Sequence, residues 1–224
     1  DSALEPLEMA RVLIRKGDTR EALSILRRMR ETHPKDPETL VALADLEASL
    51  GHAAVSRDLY MDAIRMSDQP ETMKLKFADR MNMWGDFHKA EAIYKDHLLA
   101  HPEERDTLLQ LAALMRSSER YGESEGIYKR LLLASPDSRE ILLELARLKL
   151  LEKNFDAAGK LVDRFLERDP HNPEGLLLKA DIRFLQKRYE EALNIYSELS
   201  RMTCCREKGL IGMGKVYLEQ GKAV

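Results

Sequence analysis

Cysteine is scarce: the 224-residue chain has two, Cys204 and Cys205. Two adjacent thiols exclude a disulfide framework and a multi-cysteine zinc site, both of which need several separated cysteines. Aromatic residues make up only 6 %, with a single tryptophan, Trp84. No run approaches the roughly 18 uncharged apolar residues of a spanning helix, so direct membrane insertion of this segment is not expected. A basic surplus is missing too, with 36 Lys and Arg against 39 Asp and Glu and a net charge of −3. A general nucleic-acid binder needs such a surplus to displace phosphate counterions, so nucleic acid is not an expected partner. At 44 % apolar and 33 % charged residues, the composition is that of a globular chain with a charged surface.

Catalytic motifs are absent as well. There is no GxSxG, no Gly-rich phosphate loop leading into Lys-Ser/Thr and no convergent carboxylate pair. Gly209-Leu210-Ile211-Gly212-Met213-Gly214 has glycines but falls within a helical pattern. The chain is therefore expected to be no enzyme and to carry no cofactor. It opens Asp1-Ser2-Ala3, without a basic then apolar leader, and stops after Gly221-Lys222-Ala223-Val224. These ends read as those of a segment of a longer protein.

What is present is a period. Pro34, Pro102, Pro136 and Pro170 are spaced by 68, 34 and 34 residues, and Gly17, Gly51 and Gly85 by 34. Ala10, Ala44, Ala78, Ala112, Ala146, Ala180 and Gly214 recur at the same interval without a miss. A second series of small residues runs Ala22, Ser56, Ala90, Ser124, Ala158 and Ala192. Four residues after each comes a bulky side chain: Leu26, Tyr60, Tyr94, Tyr128, Val162 and Tyr196. Each period holds two helical patterns, such as Ile141, Leu142, Leu145, Ala146 and Leu148, then Ala158, Leu161, Val162 and Phe165. The small residues predict sites where helix backbones approach closely, and the bulky ones fill the gap one turn later. Gly17, Gly51 and Gly85 suit a left-handed helix end. Asp36-Pro37 and Asn172-Pro173 read as an N-cap followed by the first helical residue.

These residues resemble the tetratricopeptide repeats, whose pattern is W-x2-L-G-x2-Y, then A-x3-F, then P on a helix–turn–helix unit. Ala90-x3-Tyr94 and Ala192-x3-Tyr196 match the middle element, and Phe77-Ala78 and Leu145-Ala146 the L-G pair. The usual Trp is mostly Leu here (Leu40, Leu108, Leu142, Leu176, Leu210), and the second repeat has Asp68 in place of its late Pro. The resemblance implies an all-α fold, a right-handed superhelical solenoid of antiparallel helix pairs. The repeats would be 3–36, 37–70, 71–104, 105–138, 139–172 and 173–206, with a half-repeat at 207–224, about six and a half in one solenoid. Solenoids need polar caps. Leu4, Leu7 and Met9 at one end, and Leu210, Ile211, Met213, Val216 and Tyr217 at the other, are apolar instead. Continuation on both sides and self-association through an exposed end are expected.

The resemblance also implies a non-catalytic protein-interaction scaffold, its first helices lining a concave groove at positions 2, 5, 6, 9, 12 and 13 of each repeat. The partner-binding residues expected there are Arg11, Asp45, Asp79, Asn82, Arg116, Arg147, Leu150, Leu151, Asp181, Phe184 and Leu185. Position 5 is apolar throughout (Leu7, Val41, Leu75, Leu109, Leu143, Leu177, Ile211), which opposes the carboxylate clamp of the chaperone-binding members. Leu150, Leu151, Phe184 and Leu185 form either an apolar docking strip or the closure of the core between repeats. The run Phe77–Phe87 with Ala90–Tyr94 is similar to the periplasmic repeats of Pel-type exopolysaccharide secretion proteins. That narrower resemblance would imply a bacterial cell-envelope role in exopolysaccharide export, a periplasmic location and a polysaccharide-modifying enzyme as partner; without it the location would be cytoplasmic.

Other chemical signals have plainer readings. His97 and His101 share a helix face but lack a third ligand, so no metal site is expected. Cys204 and Cys205 read as free thiols in a loop, with Arg201 and Arg206 nearby. Trp84 serves either an interface or the turn before Gly85.

Overall fold

The computed structural model describes residues 5–221, which contain thirteen α-helices and no strand. The helices are α1 (Pro6–Lys16), α2 (Thr19–Thr32), α3 (Pro37–Ser49), α4 (Ala53–Met66), α5 (Pro70–Met83), α6 (Phe87–Ala100) and α7 (Arg105–Ser117). After these come α8 (Tyr121–Ala134), α9 (Arg139–Leu151), α10 (Phe155–Leu166), α11 (Pro173–Leu185), α12 (Tyr189–Arg201) and α13 (Arg206–Glu219). Leu4, expected at an apolar end, lies outside the described residues. The chain forms two compact units, one up to Leu114 and one from Met115 onward.

Within each unit, helices pack as consecutive pairs, and pairs pack on one another. The first unit pairs α1 with α2, α3 with α4 and α5 with α6, and α2 meets α3 as α4 meets α5. The second pairs α9 with α10 and α11 with α12, and α13 lies on α12 and α11.

Local chemistry sets the helix ends. Asp36 caps α3 by accepting from the Thr39 amide at 3.1 Å, and Asn172 caps α11 by accepting from the Glu174 and Gly175 amides. At the C-terminus of each first helix, the chain reverses through one residue of positive φ. Gly17, Gly51 and Gly85 stand there at +86°, +86° and +81°. Further along, the same turn is made by Glu119, Lys153 and Lys187 at +61°, +58° and +61°. Every such turn is closed by an amide reaching back five residues, from Asp18 N to Leu13 O at 2.9 Å through to Arg188 N to Arg183 O at 2.8 Å.

The periodic residues are the core. Ala10, Ala44, Ala78, Ala112, Ala146 and Ala180 are fully buried, as are Ala22, Ser56, Ala90, Ser124, Ala158 and Ala192. The bulky series Leu26, Tyr60, Tyr94, Tyr128, Val162 and Tyr196 is buried as well. Each such side chain contributes roughly 1.5–3 kcal/mol of transfer free energy, so the series forms much of each unit's apolar core.

Gly214 departs from its series. Nothing lies within 4 Å of where its Cβ would stand. The close approach of α13 to α12 runs instead through Gly209, against the Ser200 and Tyr196 backbone, and Gly212, against the Tyr196 ring. No described helix covers the Gly214 side of α13, so the small residue has nothing to accommodate there. Of the apolar residues at this end, Val216 is buried, whereas Leu210 and Ile211 are exposed.

Candidate binding pockets

The first unit holds an open pocket of about 540 Å³ between α1, α3 and α5. Its apolar lining is Ile14, Val41, Ala42 and Met83, with the Tyr60 ring behind. Arg11, Arg15, Lys76 and Arg80 supply positive charge, and Glu38, Asp45 and Asp79 negative. Most of these charges are held by one another. Arg11 bridges Glu8 at 2.6 Å and Glu38 at 3.4 Å, and Lys76 reaches Glu38 at 2.6 Å. Arg80 donates to Asp45 Oδ1 through Nη2 at 2.5 Å and Nε at 3.1 Å. Exposed pairs of this kind are worth about 0–1 kcal/mol each, so they order the rim more than they stabilise the fold. Arg15, exposed at the same rim, has no ion-pair partner among the described residues.

The groove aspartates have a second task. Tyr60 donates to Asp45 at 2.5 Å, Tyr94 to Asp79 at 2.5 Å and Tyr196 to Asp181 at 2.6 Å, each across fifteen residues of one helix pair. Burial first, then the bonded carboxylate, pushes all three phenols up from their ordinary range. The Tyr128 phenol is pushed up to about 12, chiefly by burial. Asp79 is also bonded by Gln110 at 2.9 Å. Its carboxyl is raised, by burial first and by the Asp45 charge, against the Tyr94 bond and the Arg80 charge.

In the second unit the pairing continues. Arg116 meets Glu144 at 3.2 Å, and Arg147 meets both Glu144 and Glu174, the latter at 2.5 Å. A pocket of about 570 Å³ adjoins this ladder, lined by Arg147, Glu174, Leu177, Leu178, Asp181 and Lys208 and by both cysteines. Leu150 and Phe184 are partly buried and pack against the core of this unit, whereas Leu151 and Leu185 are exposed. Asn82 is half-buried near the end of α5, its Oδ1 without a hydrogen-bond partner, and does not line the first pocket.

Arg11, Asp45 and Asp79 are thus brought together, and Arg147 and Asp181 share the second pocket. Glu38, Lys76, Arg15 and Met83 were not among the expected binding residues, although they hold positions 2, 6 and 13, which the resemblance assigns to the groove. Arg80 at position 10 and Tyr60 on a second helix lie outside that set, and only the packing brings them in. His97 bonds Glu104 at 3.3 Å and lies against His101, with ring centroids 4.8 Å apart. Among the described residues no cluster of three metal-ligating side chains occurs. Trp84 packs edge-on to Phe77 at 6.3 Å, beneath the Arg57 guanidinium at 5.6 Å.

Paired helices repeated on one period, with pockets between first helices, define a helical-repeat protein. The chain belongs to the tetratricopeptide-repeat family. Models of that repeat match residues 7–46, 115–182 and 149–203, together more than half of the chain. Members of this family generally act as protein–protein interaction scaffolds. Among solved structures, a tetratricopeptide repeat protein from Parabacteroides merdae superposes with a TM-score of 0.73 at 17 % identity, over 94 % of this chain and 82 % of that one. Pseudomonas aeruginosa PilF gives a TM-score of 0.63 at 16 % identity, over 96 % of each chain. PilW, described as a widely conserved type IV pilus biogenesis factor, gives 0.67 at 18 % identity, over 87 % of this chain and 90 % of that one. At these identities the likeness shows the fold alone. No curated protein matches the sequence. The resemblance to exopolysaccharide secretion proteins finds no support among these comparisons.

Proposed function

We propose that the chain is a non-catalytic protein-interaction module whose recognition surface is the pocket between α1, α3 and α5. The observation that carries this reading is the combination of an apolar floor with a pre-ordered charged rim. Met83 is 74 % exposed at the pocket edge, beside Ile14 and Val41. Arg11, Lys76 and Arg80 are already held in place by Glu38 and Asp45, so binding requires little further ordering of the rim. Among the described residues of this rim, Arg15 is a cation without an ion-pair partner and can receive a partner's carboxylate. An extended segment with an acidic residue beside a medium-sized apolar one fits this arrangement. The apolar side chain covers Met83 and Ile14, and the carboxylate meets Arg15. Complementary charge then selects the partner and speeds encounter more than it adds affinity.

The test is selection of a random peptide library on the purified chain. Enriched peptides should pair an acidic with an apolar residue. Arg15→Glu and Met83→Glu should each weaken a selected peptide by at least about tenfold, equivalent to about 1.4 kcal/mol. Both positions are exposed, so the fold should be unaffected. No enrichment, or peptides indifferent to both substitutions, would overturn the proposal.

A further inference from the structure

The pocket of the second unit ends in the turn between α12 and α13, where Cys204 and Cys205 stand side by side. Their sulfurs are in contact, with Sγ–Sγ at 3.1 Å. Adjacent side chains ordinarily diverge along extended or helical backbone. Here the backbone of Cys205, at φ −135° and ψ 9° just before α13, turns both sulfurs to one side. Both thiols are free; Cys204 is exposed and Cys205 half-buried. Lys208, in the first turn of α13, also lines the pocket, and a helix N-terminus with a cation favours thiolate over thiol.

We propose that Cys204 and Cys205 form a dithiol modification site for hydroperoxides, oxidised to a vicinal disulfide at the end of this pocket. The exposed Cys204 supplies the attacking sulfur. Its hydrogen bond with Cys205, and then burial, push the Cys205 thiol up, so Cys205 keeps its proton. Cys204 sulfur attacks the terminal peroxide oxygen and the O–O bond breaks. Cys204 becomes a sulfenic acid, and the departing hydroxide or alkoxide takes the Cys204 proton. Cys205 sulfur then attacks Cys204 sulfur. The S–O bond breaks, the S–S bond forms, and the hydroxyl leaves as water with the Cys205 proton. The two thiols together lose two electrons and two protons, and one hydroperoxide accepts them. A disulfide between neighbouring residues closes a small, strained ring, and strained disulfides are readily reduced by thiols, so the modification is reversible. Oxidation replaces two hydrogen-bonding thiols in the pocket wall and pins the start of α13.

The experiment treats the reduced, purified chain with one equivalent of hydrogen peroxide and follows free thiols and intact mass. Trypsin releases both cysteines in one peptide, Met202–Arg206, because Arg201 and Arg206 flank them. That peptide should lose two hydrogens, no disulfide-linked dimer should form, and dithiothreitol should reverse the change. Cys205→Ser should accumulate a Cys204 sulfenic acid trapped by dimedone. Cys204→Ser should react about tenfold more slowly, as expected of a less exposed, protonated thiol. Covalent dimers, oxygen-bearing products that retain both sulfurs unlinked, equal rates in the two serine variants, or no consumption of peroxide would each overturn the proposal. Should either variant fail to fold by circular dichroism, the wild-type peptide mass decides alone.

Discussion

Lys153 and Lys187 close helix turns at φ +58° and +61°, where the same turn in earlier repeats uses glycine. A left-handed conformation costs an L-residue roughly 1–2 kcal/mol. Glycine avoids that cost but brings about 0.4–1 kcal/mol of extra unfolded-state entropy. Each Lys→Gly change should therefore stabilise by about 0.5–1 kcal/mol, the difference between these two terms. Both lysines are exposed, so no buried packing is lost. The sites lie one repeat apart, and their effects should add to about 1–2 kcal/mol in the double variant. The reverse change, Gly85→Ala, should destabilise by about the same single-site amount. Nothing lies within 4 Å of the new Cβ at Gly85, so its cost arises from the backbone rather than from collision. Urea unfolding followed by far-ultraviolet circular dichroism reads these changes as midpoint shifts at constant slope. Destabilised glycine variants, or a stabilised Gly85→Ala, would refute the reasoning.

Other perturbations probe the polar groups. Tyr94→Phe should cost about 1 kcal/mol in the same assay, because Asp79 loses a phenol donor within a partly buried site. Tyr128→Phe should cost less, since the position fifteen residues earlier is Ala113, with no carboxylate. Glu47 is nearly buried, and its carboxyl is lowered, first by the His52 bond and then by Arg27. Its contribution should be present above the ordinary carboxylate range and lost as pH falls through the lowered value, so the midpoint gap between wild type and Glu47→Gln should close in acid. Asp79 has the opposite sign. Its raised carboxyl favours the fold below the ordinary range, and that gain disappears as pH rises through the raised value, so the stability of wild type relative to Asp79→Asn should fall as pH rises through that value.

The repeat was legible because backbone proximity leaves a mark on composition. Only a small side chain fits where two helices nearly touch, so Ala44 or Ala180 recurs in register. Asp36 and Asn172 were legible for a local reason: a cap is made within three residues. The left-handed turns were half legible. Glycine announces three of them, but Glu119, Lys153 and Lys187 adopt the same conformation without any compositional mark. Gly214 misled because periodicity reports which residues are alike, whereas packing depends on what lies beside them. The tyrosines read as space-fillers, yet their hydroxyls bond the groove aspartates fifteen residues earlier, a pairing set by how the two helices of a repeat cross.

Order and spacing therefore determined the helical class, the 34-residue period, the buried series and the capped helix starts, all of which rest on interactions within a repeat or on a steric rule shared by every repeat. The tertiary structure decided which charges remain available. Arg11, Arg80 and Arg147 look alike in the sequence as groove or near-groove cations, but each is neutralised by a carboxylate from an adjacent repeat, while Arg15 has no such partner among the described residues. It likewise decided that two neighbouring thiols meet at the end of a pocket. Coulomb attraction and sulfur contact depend on distance in space, and sequence separation measures that distance only where a helix or a cap makes it local.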